Sequence, residues 1–380
     1  YRVTFDQTGV GSDLVGTVVV ADGANYAKSA LPVSFWCDSG SSHAFAFQSP
    51  LAVAANSKQY VWTSATGLST LQAGSLTVSS YGSVTGNYQT QYYLSVSSAY
   101  GSPSPVSGWY DSGASVTASV TSPVSGGIGT QYVSTGWTGT GSVPVSGSGS
   151  SVTFTINGPS SISWNWKTQY YLTVSSAYDS PTPVSGWFDS GTSISASVTS
   201  PVAGPAGTRY VCTGWAGSGS VPASGSTSSV TFTINQASSI TWAWKTQYYL
   251  TVSSPYGTTG GQGWYDSGAS AYATVSPLTV SGAPGVQYVF SNWNGDASGT
   301  ASPSDPITMN SAKTATATWK TQYYLTLATD PAGLPSPAGA GWYDADTYAS
   351  IAAVPFVDVG SGVRYRFNDW TTVHMPEIVN

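Results

Sequence analysis

The string Gln-Tyr-Tyr-Leu occurs four times, beginning at Gln91, Gln169, Gln247 and Gln322, at spacings of 78, 78 and 75 residues. Self-similarity at a fixed period means that one supersecondary unit is being repeated. Each copy opens with a YYLTVSS-type run and passes through a Pro/Ser/Gly stretch to GWYDSG. An alternating run such as SVTASVTSPV follows, then QYVSTGW, SVTFTI and a closing SISWNWK. Alternation of period two dominates these runs, the pattern of half-buried strands. The first 90 residues align as a diverged copy: YRVTF matches YYLTV, SFWCDSGSSHAFAFQSPL matches GWYDSGASVTASVTSPV, and KQYVWTS matches TQYVSTG. An insertion at GTVVVADGANY predicts an extra hairpin turning at Asp22-Gly23.

The expected architecture is all-β, a tandem array of five small β-sandwich (Ig-like) modules forming an extended rod. The boundaries are 1–90 with the extra hairpin, 91–168, 169–246, 247–321, and an incomplete 322–380 that lacks its closing strands. Each closing SISWNWK run passes through Thr-Gln into the next YYLTV with no Gly/Ser linker, which favours a semi-rigid connection. The last copy leaves two readings open: a longer array, or a strand donated by another subunit.

Composition excludes several functions. Only 7% of residues are charged, the net charge is −6, and no cluster of Lys or Arg exists to neutralise phosphates, so nucleic acid is not an expected partner. Ser and Thr supply about 29% of the chain, and 15 Trp and 25 Tyr argue against disorder. No run of 18 apolar residues is present, so no membrane span is expected. Secretion with a removed signal peptide, to the cell surface or exterior, is the expected location.

Catalysis is not expected, nor is any cofactor or metal. His43 and His374 stand in the first and last copies, no string supplies a nucleophile with its base, and one Asp per copy in the D-S-G or D-A-D context (Asp38, Asp111, Asp189, Asp266, Asp344) reads as turn chemistry, the carboxylate capping backbone amides, rather than a calcium site. Cys37 and Cys212 have no counterpart in the other copies and read as free thiols rather than a framework.

The Trp residues of the QYVSTGW and GWYDSG runs read as packing anchors. On the closing strand, Trp166 and Trp244 stand where every copy has an aromatic, whereas Trp164 and Trp242 are replaced by Gly86 and Ala317 elsewhere. Trp164 and Trp242 are thus the expected exposed aromatics, candidates for subunit contact or sugar stacking. The doublets Tyr92-Tyr93, Tyr170-Tyr171 and Tyr248-Tyr249 send one ring to each face of a strand and join that set. Tyr1, Val3, Phe5, His374 and Ile378 are the candidates for a head-to-tail joint.

The third QYYL copy, with YYLTVSSPYG, GWYDSGAS, QYVFSNWNGDASG and PITMNSAKTATATWK, resembles the divergent internalin-B-type B-repeat modules found in tandem in secreted prokaryotic surface proteins. The opening YRVTF run resembles strand motifs of archaeal surface proteins. The resemblance implies an extracellular, repetitive and non-enzymatic protein, and brings no catalytic residues. Taken together, the expectation is a structural protein that self-assembles into a filament, sheath or surface layer through strand pairing and aromatic contacts, with itself as partner. The alternative is an adhesin stalk or carbohydrate-binding array that meets surface glycans.

Overall fold

A computed structural model describes residues 1–372. The protein is all-β, with 56% of residues in strands and a single 3-10 turn at Lys28–Ala30. Its central feature is a set of long strands, Gly82–Ser97, Ser160–Ser175, Ser238–Ser253 and Lys313–Leu325, each joining the closing run of one copy to the opening run of the next without interruption.

These strands pair with one another in parallel, Leu94–Ser97 on Ser160–Ser163, Leu172–Ser175 on Ser238–Thr241, and Leu250–Ser253 on Lys313–Thr316. The first strand does the same, Val3–Thr8 lying on Gly82–Asn87. Every pairing joins the opening run of a copy to its own closing run. Because the closing run is also the start of the next opening run, one mixed sheet passes through consecutive copies.

Within a copy the layout recurs. In 91–168, Gly108–Asp111 lies antiparallel to Leu94–Gln91, and Thr130–Thr140 lies antiparallel to Tyr170–Ser161. A separate pair, Ser115–Ser119 with Ser151–Thr155, covers the inner face. The alternation in Ser-Val-Thr-Ala-Ser sends Val116 and Ala118 inward, where they meet Leu94, Phe154, Ile156, Ile162 and the indoles of Trp137 and Trp164. Separate clusters of the same kind form in the neighbours, around Phe5, Phe47 and Val84, around Leu172, Ile234 and Ile240, and around Leu250, Ala273 and Met309.

A bulge interrupts the long antiparallel pairing in each case, between Ser134 and Gly136 and between Cys212 and Gly214. Gly136 and Gly214 have φ of +124° and +135°, and a Cβ on either would lie 1.8 Å from a backbone oxygen. Only glycine fits both demands. In the first copy the Asp22-Gly23 hairpin forms as its sequence predicts, with φ of +47° and +81° at the two turn residues. Its strands, Thr17–Ala21 and Ala24–Ala27, extend the covering layer to four strands with Ser42–Phe47 and Ala73–Thr77.

The last copy differs. Lys313–Leu325 has 13 residues where the preceding long strands have 16, and it stops where its predecessors begin their parallel pairing. Beyond Ala317 no described residue is buried. The hairpin Phe356–Gly360 with Val363–Arg366 forms, but its side chains remain largely in solvent.

Candidate functional site

The closing strand places its aromatics opposite to expectation. Trp164 and Trp242 are 4% and 3% exposed, packed edge-to-face on Trp137 and Trp215 with ring centroids 5.7 Å apart. They are core residues, which removes them as surface contacts. Residues two apart share a face, and here the shared face is the inner one. Where the first copy carries Gly86, the Phe47 ring takes up the space; in the copy with Ala317, Phe290 packs on Trp293 and Trp319.

The Tyr doublets divide as expected. Tyr92, Tyr170 and Tyr248 pack against the cores. Tyr93, Tyr171 and Tyr249 face outward, each edge-to-face with the Trp of the following GWYD or GWFD strand: Trp109, Trp187 and Trp264. Tyr324 and Trp342 repeat the arrangement. All four pairs have centroids 5.2 Å apart and interplanar angles of 68–73°. Trp187 and Trp342 are about two-fifths exposed, and Trp36, whose cross-strand neighbour is Arg2, is 84% exposed. These indoles, read from sequence as packing anchors, are the ones that reach solvent. Their signal was the register itself, since Tyr93 sits opposite Trp109 on the outer face.

Beside each pair runs a chain of hydrogen bonds on the same face. Gln131 Nε2 donates to Gln169 Oε1 at 2.7 Å, Gln169 Nε2 donates to Asp189 Oδ1 at 2.7 Å, and Lys167 Nζ lies 2.9 Å from the same carboxylate. Arg209–Gln247–Asp266–Lys245 and Gln287–Gln322–Asp344–Lys320 repeat it, and Gln59–Gln91–Asp111 does so without the lysine. The turns form as expected, closed by the Asp carbonyls, which accept from Ala114, Thr192, Ala269 and Thr347 N–H, while the carboxylates accept from glutamine, and in three copies lysine, rather than from turn amides. The glutamine amides, then the lysines, hold Asp189 and Asp266 below the usual carboxylate range. Arg209 also stacks its guanidinium 4.5 Å from the Trp264 ring centre. With Trp264, the turn Pro201–Arg209 forms an open cleft.

Val3 and Phe5 are 1% and 2% exposed, and their strand is paired on both sides, with Val33–Trp36 and Gly82–Asn87. They are committed to their own core and offer no joint. Tyr1 is half exposed, and His374 and Ile378 lie outside the described residues. At the other end, Tyr323, Trp342, Phe356, Tyr365 and Trp370 are each about 40–55% exposed. Trp293, the counterpart of Trp370, is 3% exposed.

One constellation was not visible in the sequence. His43 Nδ1 is 2.7 Å from Asp22 Oδ2, and His43 Nε2 is 2.9 Å from Ser41 Oγ. Asp22 Oδ1 also accepts from the Ala44 amide. The Ser41 hydroxyl donates to the Asp38 carbonyl at 2.7 Å, so its proton is already engaged. The chain ties the tip of the extra hairpin to the turn before Ser42–Phe47. Cys37 and Cys212 are free, half-buried thiols.

Among the described residues, no group of three or more His, Cys, Asp or Glu could hold a metal ion, and no helix is long and apolar enough to cross a membrane. No protein-family model matches the chain, and neither a curated protein nor a solved structure matches it.

Proposed function

We propose that this chain is an extracellular structural protein that self-assembles into a filament, sheath or surface layer. Its repeats act as five β-sandwich modules of Ig-like kind, related to internalin-B-type B-repeats and strung as a rod. The observation that carries the reading is the mixed sheet that passes unbroken through consecutive copies, each long strand closing one copy and opening the next. Exposed indoles stand on its outer strands, Trp36 at 84% and Trp187 and Trp342 at about two-fifths. An unpaired strand edge beside exposed apolar surface is a template for strand addition. Neighbouring chains meet through such edges and rings, and the sparse surface charge leaves little repulsion between chains lying side by side. The role is non-enzymatic, the Asp22–His43–Ser41 chain serving as a structural tie.

Negative-stain electron microscopy and sedimentation of the full chain test the reading. Ordered polymers that grow with protein concentration support it. Monomers at high concentration overturn it.

A further inference from the structure

The Tyr–Trp pairs and their polar neighbours point to a second role, which is independent of assembly. We infer that each junction between copies is a binding platform for a neutral polysaccharide. At the junction of the first two QYYL copies, the components are Tyr171 and Trp187 with Gln131, Gln169, Asp189 and Lys167. All are brought to the outer face by one register: Gln169 opposite Asp189 and Tyr171 opposite Trp187 on one side, Gln131 opposite Gln169 on the other.

The chemistry selects the ligand. A pyranose ring has an apolar face of C–H groups and a rim of hydroxyls. The half-exposed indole supplies a flat apolar surface for the first, held at a fixed angle by its edge contact with Tyr171. The glutamine, carboxylate and ammonium groups supply donors and acceptors for the second, and their mutual hydrogen bonds fix them before any ligand arrives. Lys167 neutralises Asp189, and the same pairing recurs at Lys245–Asp266 and Lys320–Asp344. The platforms at Asp189 and Asp344 carry no net charge, Arg209 adds a cation beside Asp266 and Asp111 stands without a lysine, so the four sum to zero and suit a neutral polymer better than a polyanion. The Arg209 stack shows that the Trp264 face accepts a planar polar partner.

Repetition supplies the affinity. Four platforms of equal geometry recur in series at Tyr93–Trp109, Tyr171–Trp187, Tyr249–Trp264 and Tyr324–Trp342. A repeating polymer can engage several at once, and weak individual contacts then multiply into avidity.

Affinity electrophoresis of the full chain through gels containing soluble mannan, hydroxyethyl cellulose or glycol chitin tests this. At least one polymer is expected to retard the protein. Trp109→Ala combined with Trp187→Ala should weaken that retardation by about tenfold or more. Trp109→Phe with Trp187→Phe, which keeps a stacking ring, should stay within about threefold of the wild type. Unchanged far-ultraviolet circular dichroism confirms that the alanine variant is folded. Retardation by none of the three polymers overturns the inference, as does an alanine variant that binds within about twofold of the wild type. Loss of assembly without polymer binding would instead assign the indoles to contacts between copies, and overturns it too.

Discussion

Trp242→Ala distinguishes the inner from the outer aromatics most sharply. Burying an indole removes roughly 200 Å² from water, worth about 5 kcal/mol at ~25 cal/mol/Å², and Trp-to-Ala changes in cores cost about 3–5 kcal/mol. The Trp242 Nε1–H is buried without a protein partner, so its removal returns about 1–3 kcal/mol. The net loss is about 2–4 kcal/mol. A copy of this size is worth about 4–11 kcal/mol at the usual stability per residue, so the change takes a large share of it. Hydrogen exchange read by mass spectrometry on peptides from Thr208–Ser218 and Ser229–Thr233 should show protection falling by roughly 30- to 1000-fold. Peptides from Ser115–Ser119 and Ser151–Thr155, which surround a separate cluster, should change far less. Trp187→Ala, which removes a half-exposed ring and one edge contact, should cost no more than about 1.5 kcal/mol. Protection in the two strands within threefold of the wild type after Trp242→Ala would refute the inward placement.

Further outcomes follow from the bulges, the carboxylates and the thiols. Gly214→Ala should destabilise its copy by more than about 1 kcal/mol in urea denaturation, because φ is +135° and the added methyl meets the Gly225 carbonyl. Asp189 and Asp266 have folded values below the ordinary 3.8, so their contribution is present above that value and lost as pH falls through the lower folded one. Thermal stability should be flat from about pH 7 to 5 and fall below about 4. Asp189→Asn with Asp266→Asn should shrink that acid loss, each pair being worth under about 1 kcal/mol because both partners are two-fifths or more exposed. Reductant should leave melting temperature and sedimentation unchanged, since Cys37 and Cys212 are unpaired.

The repeat and its strand alternation made the all-β class and the Asp22-Gly23 turn legible from sequence alone. Period two says which residues share a face but not which face is the inner one. Trp164 and Trp166 therefore looked like one spare and one required ring, when both lie on the core side and the first copy fills the Trp164 site with Phe47. The outer platform needed the register of three strands, since Gln131, Gln169 and Asp189 are separated by 20 residues or more in the chain. Parallel closure of each copy was hidden for the same reason. Ser160–Ser163 reaches Leu94–Ser97 only after the whole copy has folded, and no local residue pattern marks a parallel partner.

Electron microscopy of the purified chain at increasing concentration tests the central claim most directly. Ordered polymers are the expected result. A chain that stays monomeric at every concentration would contradict self-assembly.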